Sequence, residues 1–155
     1  MLFSLTFRAE FWNISPSIII SLNGVQVAKE DNFLNNQEKT INFEYEIKNL
    51  EHKLVIERIN KTSKDTVVDN GKIIKDQIIH IKDIVIDHIS LESLIDKGIF
   101  YPTYEKLWLS QQKNIGITPP SEYNYCKTLY HNGVWKLDFS TPIHVWFFQN
   151  INTQI

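Results

Sequence analysis

The sequence predicts an all-β chain folded as an antiparallel two-sheet β-sandwich. Three observations carry this. Apolar and polar residues alternate with period two over the first two thirds of the chain, Asn-Gly pairs punctuate the alternating runs, and helical periodicity is sparse. Roughly seven to nine short strands with hairpin turns fit two packed sheets.

Leu5, Phe7, Ala9 and Phe11 share one parity, with Thr6, Arg8 and Glu10 between them. Asn23-Gly24 then separates the β-branched run from Ser17 to Leu22 from the run from Val25 to Ala28. Asn-Gly suits a type I′ hairpin, whose two central residues need positive φ. Ile41, Phe43, Tyr45 and Ile47 alternate with Asn42, Glu44, Glu46 and Lys48, as in a strand with one wet face. A turn at Asn49 to His52 leads into the strand from Leu54 to Ile59, and Asn70-Gly71 tips a second hairpin between Thr66 and Ile74. From Gln77 to Leu91 the parity changes: Ile79 and Ile81 share one phase, Ile84 and Ile86 the other. One extra residue near Lys82-Asp83 reconciles them, which predicts a β-bulge.

Glu92 to Lys97 reads as a short turn ended by Gly98, and Pro142 to Ile151 as a short C-terminal helix with proline at its first turn. Residues 99–120 are aromatic, proline-punctuated and without alternation, so a long irregular segment is expected there. Beyond it, His131-Asn132-Gly133 suggests a third hairpin between Tyr125–Tyr130 and Val134–Phe139.

The chain has 155 residues, 43% of them hydrophobic and 12% aromatic, and fits a single β-sandwich domain over 1–155 with 99–120 as an extension within it. This apolar content argues against disorder. The net charge of −2 offers no field to grip a phosphate backbone, so nucleic acid is not an expected partner. The single Cys126 excludes an intrachain disulfide. The alternating N-terminus does not resemble a signal peptide, and no apolar run approaches the ~20 residues that span a bilayer. A soluble chain without membrane insertion is therefore expected.

No nucleophile elbow, zinc-protease motif or phosphate-binding glycine loop is present, and the five His have no metal-ligand spacing. Cys126 reads as an inert, partly buried thiol rather than a nucleophile. Asp65, Asp69 and Asp76 flank the second hairpin. Clustered there, their oxygens could hold Ca²⁺; otherwise Asp69 is turn chemistry and the other two are solvated strand ends. Tyr101, Tyr104 and Trp108 lie in the aromatic segment. They cap an open end of the sandwich, anchor a protein contact or stack a sugar ring. Val145 to Phe148 is either core or a buried assembly contact.

The runs Asp65 to Asp76, Ile81 to Ile89, Gly98 to Tyr104 and His131 to Phe139, with Pro142 and Trp146 to Phe148, resemble small proteins of tailed marine phages (cyanophages and their relatives) over roughly Ser17 to Asn150. This resemblance implies a virion or assembly component, made in the host cytoplasm, that contacts other virion proteins or itself as decoration, tail or fibre. The front half, from Ile18 to Ala28 through Ile84 to Ile89, also resembles the jelly-roll of small calcium-dependent xylan-binding modules. Those modules place calcium and sugar in loops at one end of the sandwich, and the acidic loop positions here match them only loosely. The second resemblance implies a module that binds host surface glycan. Neither implies catalysis, although two carboxylates converging in space, as in a glycosidase, leave no trace in sequence.

Overall fold

The computed structural model describes residues 1–151. The elements are β1 (Leu2–Glu10), β2 (Ser17–Leu22), β3 (Val25–Glu30), β4 (Glu38–Glu44), β5 (Glu51–Ile59), a 3-10 turn (Ser63–Asp65), β6 (Val67–Asp69), β7 (Lys72–Lys75) and β8 (Ile78–Ile86). There follow β9 (Ile89–Ser90), a second 3-10 helix (Glu92–Lys97), β10 (Ile99–Pro102), α1 (Lys106–Asn114), β11 (Tyr123–Asn124), β12 (Thr128–Leu129), β13 (Gly133–Ser140) and α2 (Ile143–Ile151).

Two antiparallel sheets pack face to face. One has the order β12-β8-β1-β4, with β9 beside β8; the other runs β11-β10-β13-β5-β2-β3. Alternation decides which side chains meet between them. Phe3, Leu5, Phe7 and Ala9 of β1 are buried, as are Ile79, Ile81, Ile84 and Ile86 of β8. They face Leu54 and Ile56 of β5 and Trp135, Leu137 and Phe139 of β13 in one core. Each fully buried side chain of this size contributes about 1.5–3 kcal/mol.

The bulge is where the parity change places it. Thr6 pairs with Asp83 and Phe7 with Ile81, so Lys82 is the extra residue. The first two Asn-Gly hairpins also form, with Asn23 and Gly24 at φ 51° and 82° and Asn70 and Gly71 at 51° and 76°. The second of these, β6–β7, is a separate two-stranded sheet.

Three expectations are corrected. Asn132-Gly133 is not a hairpin tip: β12 joins β8 in the first sheet, whereas β13 pairs with β5 and β10 in the second. The chain crosses between sheets there, and Gly133 serves close approach instead. A Cβ on it would lie 2.4 Å from the Tyr101 carbonyl oxygen. Residues 99–120 are more regular than expected, since they hold β10 and α1. Good helix formers from Lys106 to Lys113 suffice, although α1 buries none of its residues. Finally, the strand through Ile47 stops at Glu44. The C-terminal helix forms as expected; it packs Ile143 and Trp146 inward and leaves Phe148 63% exposed.

Candidate functional site

The end of β5, the start of β8, the ends of β10 and β12 and the start of β13 all lie at one end of the sandwich. There a groove of about 1020 Å³ opens between the β6–β7 hairpin and α1. Val68 and Ile73 contribute to one wall and Leu107 and Trp108 to the other.

The corner from His131 to Gly133 is fixed from both sides. The Thr103 backbone N–H donates to the Asn132 carbonyl at 2.7 Å. The Asn132 side chain accepts from the Lys61 N–H at 2.9 Å and donates to the Lys61 carbonyl at 2.8 Å. The fixed corner sets the His131 ring against two aromatics brought by the start of α1. Tyr104 and Trp108 stack with centroids 4.9 Å apart and 24° between their planes, and each centroid is also 4.9 Å from that of His131. Tyr104 and Trp108 are one helical turn apart, although Tyr104 itself precedes the helix. The Tyr104 hydroxyl donates to the Pro120 carbonyl at 2.6 Å and lies 3.1 Å from the Tyr123 hydroxyl. Burial, reinforced by Tyr123, pushes its pKa up.

Behind this triad lies a charged network. Arg58 has no exposed surface. Its guanidinium donates to the carbonyls of Leu129 and Gln77 and, at 2.9 Å, to Gln77 Oε1. Burial pulls its pKa down to about 10, against the opposing pull of Asp76 and Asp65. Lys61 Nζ donates to Asp76 Oδ1 at 2.7 Å and to the Tyr130 carbonyl. Asp76 Oδ1 also accepts from Thr66 Oγ1 at 2.7 Å and from the Gln77 N–H at 2.8 Å. Burial alone would raise the Asp76 pKa, but the Lys61, Thr66 and Gln77 hydrogen bonds outweigh it and hold the carboxylate ionised. His131 is pushed down to about 4, first by burial and then by the nearby Lys61 and Arg58 charges. It is therefore a neutral imidazole at physiological pH.

The three expected aromatics do not act together. Tyr104 and Trp108 meet; Tyr101 pairs with Val134 across β10 and β13, and its ring lies below Lys136 Nζ at 5.3 Å, away from the triad. The three aspartates separate likewise. Asp76 lines the groove. Asp65 is buried and caps the 3-10 turn: Oδ2 accepts from the Thr62 N–H at 2.8 Å, and Oδ1 accepts from Asn13 Nδ2 at 2.6 Å. Asp69 pairs with Lys72 beside the hairpin tip. Among the described residues, no group of three or more His, Cys, Asp or Glu side chains is placed to hold a metal ion. Calcium fits this end poorly on chemical grounds too. Both Asp65 oxygens and Asp76 Oδ1 already accept hydrogen bonds, which leaves Asp76 Oδ2, and Lys61 and Arg58 place two positive charges where a divalent ion would need more oxygen. Cys126 lies on the groove with its thiol pKa raised by burial, the behaviour of an inert thiol. Arg58, Lys61 and His131 are not among the site residues expected from the sequence, where His131 figures as part of a hairpin turn.

No protein-family model matches the sequence, and no curated protein matches it. Two similar solved structures are β-sandwich carbohydrate-binding modules. One is vCBM60 in complex with galactobiose, with TM-score 0.56 and 10% identity over 88% of this chain and 96% of that one. The other is a selenomethionine form of vCBM60, described as linking two families of calcium-dependent carbohydrate-binding modules through circular permutation. It has TM-score 0.54 and 11% identity over 86% of this chain and 88% of that one. At such identities the likeness is one of fold, and it agrees with the jelly-roll resemblance read from the sequence. Among the described residues no helix is long and apolar enough to cross a membrane.

Proposed function

We propose that the chain is a non-catalytic carbohydrate-binding module whose glycan lies in the groove between β6–β7 and α1. The observation that carries this reading is the pair of rings on the groove, Trp108 and His131, held together by Tyr104 behind them and set beside the ionised Asp76. Apolar ring faces match the C–H faces of a sugar, and a few fixed polar atoms select its hydroxyls. The fold shared with a module that holds galactobiose supports it. A glycosidase acid needs a carboxyl with a raised pKa, whereas Asp76 is held low, so this wall suits binding and not hydrolysis.

Calorimetric titration with galactobiose, and affinity electrophoresis in galactan and xylan, test the proposal. Binding is expected, and Trp108→Ala should weaken it ~30-fold, about 2 kcal/mol, as for a central aromatic anchor. The variant should still unfold cooperatively, because α1 carries no buried residue. Unchanged affinity in Trp108→Ala would place the glycan elsewhere.

A second reading has the groove seat a protein, whether a second copy or a neighbour in a virion. Val68, Ile73 and Leu107, each 58–64% exposed, favour it. Concentration-dependent sedimentation that Leu107→Lys abolishes, with no glycan bound, would select this reading.

A further inference from the structure

We infer that the groove binds a neutral oligosaccharide without calcium, with the Lys61–Asp76 ion pair as its polar anchor in place of a metal; this rests on the glycan reading above. One of the similar solved structures is described as linking families of calcium-dependent modules, and the donor set here departs from that chemistry.

Six charged side chains gather at this end, Arg58, Lys61 and Lys127 against Asp65, Asp76 and Glu105, and they balance: three positive, three negative. A divalent ion would meet two cations already in place. Lys61 and Asp76 leave only 11% of each side chain exposed, and their 2.7 Å contact is anchored further by Thr66, the Gln77 N–H and the Tyr130 carbonyl. All of these donors to Asp76 converge on Oδ1. Among the described residues, Oδ2 accepts no hydrogen bond, although Asp76 lines the groove. A fixed carboxylate with one oxygen engaged and one open is a strong acceptor for a sugar hydroxyl.

The remaining polar atoms match the same ligand. The His131 ring nitrogens and Trp108 Nε1 make no hydrogen bond to any described residue. A neutral imidazole offers one donor and one acceptor, which suits hydroxyl groups. A carboxylate on the ligand would instead face Asp76 and Glu105 across the groove, and the two lysines that line it are already engaged, Lys61 with Asp76 and Lys127 with Asp96 at 3.2 Å. The chemistry therefore favours neutral hexose or pentose chains over uronic-acid polymers.

The test titrates the wild-type chain with galactobiose, neutral galactan and polygalacturonate, in EDTA and again in millimolar Ca²⁺. Galactobiose or galactan affinity should agree between the two buffers within about twofold, and polygalacturonate should bind at least ~10-fold more weakly. Asp76→Asn should weaken neutral-glycan binding ~10-fold or more in both buffers. Binding lost in EDTA and restored by Ca²⁺ overturns the inference while keeping the glycan reading. Equal binding of polygalacturonate overturns the neutral-ligand assignment. Absence of neutral-glycan binding in both buffers overturns reading and inference together. If Asp76→Asn fails to fold, the wild-type comparison of EDTA with Ca²⁺, repeated as thermal denaturation with Ca²⁺ alone, still decides. A Tm unmoved by Ca²⁺ supports the inference, and a rise of several degrees opposes it.

Discussion

Arg58 joins the core to the groove. Its guanidinium holds the carbonyls of Leu129, at the end of β12, and of Gln77, just before β8, and its charge faces Asp65 and Asp76. Replacing it with methionine would fill much of the same space. It would also leave three acceptors, the Leu129 and Gln77 carbonyls and Gln77 Oε1, without the guanidinium donor, and two carboxylates with Lys61 as their remaining close cation. Removing one partner of a buried pair costs about 3–5 kcal/mol. Arg58→Met should lower the unfolding free energy by that amount in urea denaturation, and a change under ~1 kcal/mol would mean the network does little for the fold. The sequence carries one mark of this network: Arg58 continues the parity of the buried Leu54 and Ile56. A charge on the core phase of a strand signals a buried partner, but not which one. Its partners come from residues 77 and 129, far along the chain, and no local pattern encodes that meeting. The aromatic cluster was half legible for the same reason. Tyr104 and Trp108 sit one helical turn apart in sequence, whereas His131 arrives by long-range packing. Tyr101 was grouped with them by proximity in the chain, yet β10 alternation turns it to the opposite side from the buried Phe100.

Strands with one buried face announced themselves; elements without one did not. β1, β8 and β13 alternate because one parity must enter the core, and that pattern located the bulge to the pair Lys82-Asp83, of which Lys82 is the extra residue. The helix α1 has no buried stripe, so it left no 3.6-residue period to read. The Asn132-Gly133 pair misled because the same dipeptide serves two needs. At Asn70-Gly71 both residues adopt positive φ, whereas at Gly133 the φ of 150° admits the β10 backbone. The bulge itself makes a sharp prediction. With Lys82 removed, Ile79, Ile81, Ile84 and Ile86 would fall into one unbroken alternation, and the pairs Thr6–Asp83 and Phe7–Ile81 would become consecutive. Deleting Lys82 should therefore leave a cooperative fold. Deleting His80 should not, because it reverses the parity of Ile79 relative to Ile81 and would push a core isoleucine toward solvent. Circular dichroism melts of the two deletions separate these outcomes. If both melt alike, the bulge is not what reconciles the two halves of β8.

At the scale of the whole molecule, the walls of the groove are its least anchored parts. The sandwich strands bury alternate residues in one core, while β7 is exposed throughout and α1 buries nothing. Local opening draws on such elements, since few apolar contacts oppose it. Without ligand, amides of β6–β7 and α1 should exchange early, and those of β1, β5, β8 and β13 only on global unfolding. A bound glycan adds stability by mass action, about 2.7 kcal/mol at a hundredfold excess over Kd. That gain can slow exchange only where opening breaks the contact. With galactobiose or galactan added, amides that exchange on global unfolding should slow wherever the ligand sits, and among the locally opening ones new protection should concentrate in residues 61–76, 103–114 and 131–132, the two walls and the fixed corner. The outer face of the first sheet is the natural competitor. It is polar and open, with Ser4 bonded to Asn42 and Thr6 to Thr40 at 2.8 Å, and a flat sheet face can also bind a chain. Protection that appeared at Ser4, Thr6 and Thr40 and left residues 61–76 unchanged would move the site to that face. The two regions should differ before any ligand is added, with β1 slow to exchange and the groove walls fast. A ligand on the groove therefore raises the opening free energy of the walls together with that of global unfolding, whereas a ligand on the sheet face raises global unfolding and leaves the walls as they were.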